Sequence, residues 1–393
     1  MWRVSLLTPP GRGAIAVVAF TGPADVLDCP TSADGRAGPL FLAARGLPVA
    51  ALPLVTPCLG RWGPPGSAAE DVVLVRRADN RLEVHCHGGR AAAERILGDL
   101  ETAGAEVVSW FDDLVAYRGL IHAELVEALS RATTWQATAR LLTQQNDQSG
   151  LVATLTAVRE ALLSKQTAEL GVLTGRLQTI VARAAFGEHL AQPWQVVLAG
   201  PPNVGKSSLL NALLGYHRAI VSPIAGTTRD VVTAETAIEG LALRLADTAG
   251  LRETAEPLER SGIELTREQL VTADLTLWLV DLSIPETSSE IAFPANTRGP
   301  VLVVAHKCDR PALRPIPDGA VCVSSRTGAG IPELLTAIHR ALVPIEPEPE
   351  CALTVLPEQT LRLKQLLEQV VHGDDRAALE LLDDWLLPRG RSS

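Results

Sequence analysis

The chain carries no C-x-x-C pair, almost no lysine and no apolar run long enough to span a bilayer. Its six cysteines, Cys29, Cys58, Cys86, Cys308, Cys322 and Cys351, are scattered. That spacing excludes a zinc ribbon and a disulfide framework, and fits free thiols in a reducing compartment. A Pro/Gly turn at residues 9–11 follows the opening Met1-Trp2-Arg3-Val4 too soon for a signal-peptide core, so a cytoplasmic protein with no membrane association is expected. Positive charge is also scarce: the net charge is −10, which argues against a surface that grips nucleic acid throughout. Of the 35 Lys and Arg residues only Lys165, Lys206, Lys307 and Lys364 are lysine. Two of these four, Lys206 and Lys307, sit inside candidate nucleotide motifs, where a slim point charge on a flexible stem is wanted.

What is present is a chain of 393 residues, 47% hydrophobic and 20% charged, which reads as globular and too long for a single core of ordinary size. Residues 1–111 mix short apolar runs with many Gly and Pro, the pattern of a small α+β domain. Residues 112–193 lose proline until Pro193, and Leu151, Leu155, Val158, Leu162, Leu163, Leu170, Leu173 and Leu177 trace one face of a long helix or a helix pair. Residues 194–343 alternate β-branched runs with helical patterns, which predicts an α/β domain with a mainly parallel sheet. After the proline-rich stretch from Pro344 to Pro349, read as a stiff linker, residues 344–393 return to a helical pattern. The α/β segment is thus expected as an insertion in an all-α domain.

Val196–Ala199 reads as a buried strand, Ser208–Leu214 as a helix, and between them stands Gly200-Pro201-Pro202-Asn203-Val204-Gly205-Lys206-Ser207. This G-x-x-x-x-G-K-S in strand–loop–helix context predicts a phosphate cradle: Gly200 and Gly205 let the backbone curl, Lys206 reaches the β- and γ-phosphates, and Ser207 supplies a magnesium ligand. Downstream a strand ends in Asp247-Thr248-Ala249-Gly250, where Asp247 holds magnesium through water and Gly250 faces the γ-phosphate. A further strand leads to His306-Lys307-Cys308-Asp309, which resembles the Asn-Lys-x-Asp that reads guanine; the Asp309 carboxylate would accept from N1–H and the exocyclic amine together, a donor pair adenine lacks. Ser324-Ser325-Arg326 follows the next strand, where such proteins carry Ser-Ala-Lys. These motifs in order predict a GTP-binding protein that hydrolyses GTP to GDP and phosphate. Leu251 follows Gly250 in place of a glutamine and cannot orient water, so another group must. His85-Cys86-His87 places two imidazoles on one strand face with no third ligand nearby, and an ordinary turn is the better reading.

The run Ser222-Pro223-Ile224-Ala225-Gly226-Thr227-Thr228-Arg229-Asp230, taken with the P-loop and Asp247–Glu253, closely resembles the tRNA-modification GTPases of the MnmE type. Thr8-Pro9-Pro10-Gly11-Arg12-Gly13 and His87-Gly88-Gly89 resemble the amino-terminal folate-binding domain of the same family. The resemblance implies a potassium ion beside the nucleotide, held by Asn203, Ser222, Ile224 and Thr227, and a magnesium ion on Ser207 and Thr228. It also implies pairing of two protomers through their G domains, Glu259 as the water-orienting group, and a homodimer that works with an MnmG-like flavoprotein on the wobble uridine of tRNA. A solvated helix carboxylate is the plain alternative for Glu259. For a tetrahydrofolate derivative the resemblance offers Glu83 and Arg118, while Ala19 stands where a basic residue is expected. Two more departures stand out. His306 replaces the Asn that ties the base loop to the P-loop, which implies weaker guanine binding, and no cysteine follows Cys351 where the family carries a Cys-x-Gly-Lys tail. The alternative is therefore a degenerate paralogue acting as a regulatory GTP switch without tRNA chemistry.

Overall fold

The computed structural model describes residues 2–9, 13–28, 39–63, 69–216, 232–247, 270–285 and 297–388. It divides into two units, Met1–Ala123 with Asp384–Ser393, and Glu124–Asp383.

In the first unit, β1 (Arg3–Leu6), β2 (Ile15–Thr21), β3 (Phe41–Ala43), β4 (Pro57–Trp62), β5 (Glu70–Ala78) and β6 (Arg81–His87) precede α1 (Arg90–Thr102), β7 (Glu106–Val107) and α2 (Trp110–Arg118). The strands form one sheet in the order β3-β4-β5-β6-β2-β1-β7, antiparallel except for the β1–β7 pair. Alternation sends Ala16, Val18 and Phe20 of β2 and Leu82, Val84 and Cys86 of β6 to one face, where Ala93, Ile96 and Leu100 of α1 join the same core. The opposite face is polar at its centre. Asp113 of α2 is fully buried there and accepts from Ser5 Oγ (3.1 Å), Thr21 Oγ1 (3.4 Å) and both terminal nitrogens of Arg81 (Nη1 3.1 Å, Nη2 2.7 Å). The Arg81 guanidinium also lies 4.3 Å over the Tyr117 ring. A paired, fully hydrogen-bonded charge is the condition under which burial is tolerated. It is what docks α2 on this sheet.

Helix α3 (Leu120–Arg131) leads into the second unit, where α4 (Trp135–Gln144), α5 (Gly150–Leu163), α6 (Thr167–Ala182) and α7 (Ala184–Glu188) follow. The leucine stripe from Leu151 to Leu177 thus resolves as a pair, broken at Lys165, whose φ of 55° no helix accommodates. The α/β part consists of β8 (Trp194–Ala199), α8 (Lys206–Tyr216), β9 (Val232–Ile238), β10 (Leu241–Asp247), β11 (Leu275–Asp281), β12 (Val301–His306), β13 (Val321–Val323) and α9 (Ile331–Leu342). Its sheet runs β13-β12-β11-β8-β10-β9 and is parallel save for the β10–β9 hairpin. The near-continuous apolar runs of β8 and β11 are those of strands covered on both faces. One core joins Val196, Leu198, Leu277 and Leu279 to Leu209 and Leu213 of α8 and Leu334 and Ile338 of α9.

Helix α10 (Pro357–His372) returns to pack on α6 and α7, and α11 (Asp375–Leu386) follows it. The proline-rich segment between α9 and α10 is strapped down. Arg140 reaches Glu346 (2.9 Å) and the Glu348 carbonyl (3.1 Å). The buried Gln144 amide donates to the Cys351 carbonyl (3.1 Å), and its oxygen accepts from the N–H groups of Leu151 and Leu353. Among the described residues no helix is long and apolar enough to cross a membrane.

Candidate functional site

The parallel strands β8, β10, β11 and β12 bring Ala199, Asp247, Asp281 and His306 to one edge of the sheet, the edge where open α/β sheets bind ligands. The loop leaving β8 is fixed by sterics. Gly200 has φ 140°, and a Cβ there would meet the Leu279 carbonyl at 2.6 Å. Val204 is buried in the core and pins the middle of the loop, while Asn203 is exposed at φ 62°. Lys206, the first residue of α8, is buried and donates from Nζ to the carbonyls of Gly200 (3.1 Å) and Pro201 (3.0 Å). Ser208 follows it, exposed, in the first turn. A helix start and one ammonium meet here, two ingredients of a phosphate site.

Ser207 Oγ donates to Asp247 Oδ2 across the gap between α8 and the end of β10. A hydroxyl and a carboxylate oxygen meeting in this way are hard donors of the kind magnesium takes, so these residues fit the ion that the P-loop implies.

Three further segments form the base side. Asp309 holds its carboxylate with Ser324 Oγ (2.6 Å) on one oxygen and Arg326 Nε (2.9 Å) and Nη2 (2.7 Å) on the other; the Ser324 bond, then Arg326, keep its pKa below the ordinary value. Lys307, at φ 63°, sends Nζ to the Asn203 carbonyl (3.1 Å) and to Asp281 Oδ2 (2.5 Å). His306 is buried with Nδ1 2.8 Å from the Val204 carbonyl and Nε2 2.7 Å from Ser325 Oγ. Burial lowers its pKa. The imidazole therefore makes the base-loop to P-loop tie that the sequence suggested was missing. Gly205 takes φ 106° beneath it, and a Cβ there would strike the imidazole at 2.4 Å.

The structure thus brings together Gly200, Asn203, Val204, Gly205, Lys206, Ser207, Ser208, Asp247, His306, Lys307, Asp309, Ser324 and Ser325 at one end of the sheet. Asp281 belongs with them and was not singled out from sequence; its only signal is an Asp closing an apolar strand. The switch residues Ser222, Pro223, Ile224, Ala225, Gly226, Thr227 and Thr228, the turn Thr248, Ala249 and Gly250, and Leu251 and Glu259 all lie outside the described residues.

In the first unit Glu83 lies on β6 and Arg118 ends α2. Glu83 accepts from Arg77 Nε (2.8 Å) and lies opposite the fully buried Ala19 in the β2–β6 register, while Arg118 is exposed at the end of α2. Arg77 occupies one oxygen of Glu83, Oε2. His87 bonds to Glu70 (2.6 Å), and among the described residues no group of three or more His, Cys, Asp or Glu could hold a metal ion.

The family described as 50S ribosome-binding GTPase matches residues 195–307. The protein named tRNA modification GTPase MnmE from Akkermansia muciniphila is 33% identical over 367 residues, 85% of this chain and 79% of that protein. Its namesake from Bordetella parapertussis is 36% identical over 370 residues, 84% of this chain and 79% of that one. Among solved structures, the G domain of the T. maritima FeoB iron transporter is 25% identical to this chain, covering 38% of it and 99% of its own length, at a TM-score of 0.27.

Proposed function

This chain belongs to the MnmE family of tRNA modification GTPases and is a GTP hydrolase, and on that premise we propose that it turns over GTP, with potassium at its P-loop, to drive modification of the wobble uridine of tRNA. The observation that supports the nucleotide chemistry best is the convergence of Lys206, Ser207 and Asp247 with Lys307 and Asp309 on one sheet edge. Lys206 would hold the β- and γ-phosphates, Ser207, Thr228 and Asp247 the magnesium ion, the last through water, and Asp309 the guanine. The backbone of Gly250 would face the γ-phosphate. Magnesium supplies charge neutralisation on the phosphates.

Potassium would lie on Asn203, Ser222, Ile224 and Thr227 and supply the positive charge that an arginine finger supplies in other GTPases. Glu259 is the residue proposed to orient the attacking water, since Leu251 cannot. G domains of two protomers would pair over this face, and an MnmG-like flavoprotein with tRNA would be the working partners. The segment 194–343 would be an insertion in a helical domain built from 112–193 and 344–393, a reading supported by the packing of α10 on α6 and α7. No step is assigned to a folate.

Hydrolysis of GTP measured with magnesium in potassium and in sodium tests the cation site. Turnover is expected to rise in potassium, and Asn203→Ala to lose that rise. A potassium response that survives in Asn203→Ala assigns the ion elsewhere, and equal rates in both salts remove it from the proposal.

A further inference from the structure

The base side of the site reaches the P-loop through two consecutive residues that grip two consecutive carbonyls. Lys307 Nζ takes the carbonyl of Asn203, and the ring of His306 takes that of Val204. Both residues are set by β12, which pairs His306 with Asp281 on one side and Val323 on the other. The two ring nitrogens of His306 face different loops, and their roles follow from what each meets. A carbonyl offers no proton, so Nδ1 must carry the hydrogen shared with Val204. The ring is 3% exposed and burial disfavours its charged form, which leaves the neutral imidazole with a single N–H. Nε2 is then the acceptor, and the hydroxyl of Ser325 must donate to it. The charged groups around the ring have their own partners: Lys307 is paired with Asp281, and Asp309 with Ser324 and Arg326.

We propose that Ser325 and His306 act together as a positioning relay for the nucleotide, in which the Val204 carbonyl sets the Nδ1–H tautomer and the Ser325 hydroxyl, donating to Nε2, holds the ring in place and so locks the P-loop at Val204 to the loop beside Asp309. A change at Ser325, which touches the ring and not the P-loop, is then felt at the phosphates. Gly205 is part of the device, because only a residue without a Cβ lets the ring lie where it does. The relay rests on the guanine-nucleotide reading of the site, and its tautomer can be checked without nucleotide.

Two substitutions separate the two halves. His306→Asn keeps a donor where Nδ1 stands but falls short of Ser325, and His306→Gln reaches toward Ser325 but vacates Val204. GDP affinity of the full chain with magnesium, by calorimetry, is read for these variants, for Ser325→Ala and for the double variant Ser325→Ala/His306→Asn. Ser325→Ala is expected to weaken GDP about fivefold, the scale of one hydrogen bond. It is expected to have no effect in the His306→Asn background, and His306→Gln to bind more weakly than His306→Asn. Nitrogen-15 chemical shifts of the His306 ring are expected to report the Nδ1–H tautomer in both the parent chain and Ser325→Ala, with the Nε2 resonance shifted in Ser325→Ala by loss of its hydrogen bond. Additive losses in the double variant, or an Nε2 resonance that does not move in Ser325→Ala, overturn the relay. Failure of the parent chain to prefer GDP to ADP while the tautomer shifts stand as expected would instead overturn the guanine reading.

Discussion

Lys307 Nζ and Asp281 Oδ2 lie 2.5 Å apart at the ends of neighbouring parallel strands. The other carboxylate oxygen of Asp281 accepts from the backbone N–H (2.9 Å) and hydroxyl (2.7 Å) of Ser283. Burial pushes this carboxyl up, but the bonds from Lys307 and Ser283 outweigh it and hold the pKa below the usual value. The ion pair aims the lysine stem at the Asn203 carbonyl. Asp281→Ala is expected to weaken GTP and GDP alike by about tenfold, within the range of a hydrogen bond to a charged group. The preference for GTP over ATP should survive, because Asp309 sets it. Calorimetric titration of the three nucleotides checks both points, and loss of the preference would place Lys307 in base selection.

Asp309 itself carries a sharper expectation. Its two oxygens have separate holders, Ser324 and Arg326, so the carboxylate plane is fixed before guanine arrives. Asp309→Ala should remove the discrimination between GTP and ATP altogether. Ser324→Ala should reduce it only severalfold, since Arg326 still holds one oxygen. Competition of each nucleotide against fluorescent GDP measures this, and an intact preference in Asp309→Ala would move base reading to another residue.

How far the sequence revealed these features depended on how local they are. The phosphate cradle was legible because Gly200, Gly205, Lys206 and Ser207 lie within eight residues and between a strand and a helix whose periodicities differ. The parallel sheet was legible because strands buried on both faces read as unbroken apolar runs. The stripe left a long helix and a helix pair both open, since the 3.6-residue period continues on both sides of Lys165 and does not mark the break. His306 showed only as a departure, because nothing local says that its ring meets Val204, 102 residues earlier. Asp113 carries no local signal, since its partner Arg81 lies 32 residues away.

That buried pair predicts the stability of the first unit. Asp113→Ala would leave Arg81 buried with its countercharge gone, and would also strip Ser5 and Thr21 of their acceptor. Breaking such a pair costs about 3–5 kcal/mol. Urea unfolding followed by tryptophan fluorescence should show this loss for Asp113→Ala, and a partial recovery in the double variant Asp113→Leu/Arg81→Leu, where the buried guanidinium is gone and only the more exposed Arg3 loses its partner. A double variant less stable than Asp113→Ala would mean that the pair itself, rather than the orphaned guanidinium, carries the stability.

A pH-dependent term lies in the second unit, at the foot of β11. Asp274 accepts from the Gln195 N–H (2.8 Å) and stands 3.5 Å from His189 Nε2, and the His189 ring stacks on Trp194 with centroids 3.7 Å apart. Burial raises the Asp274 carboxyl, but the bonds from His189 and Gln195, with the nearby charge of Arg298, outweigh it and depress the pKa below the ordinary value. A carboxyl depressed by folding contributes stability that is fully present above its unfolded pKa, about 3.9, and is lost as the pH falls through the lower folded value. Asp274→Asn cannot ionise and lacks that contribution at every pH. It should therefore be less stable than the parent chain at pH 7 by about 1–3 kcal/mol, the range of hydrogen bonds to a charged group. The gap should stay constant down to about pH 5 and close as the pH drops below about 4. Urea midpoints for both chains at pH 7, 5, 4 and 3 read this directly. A gap that persists unchanged at pH 3 would show that the substitution acts through packing and not through the ionised carboxylate.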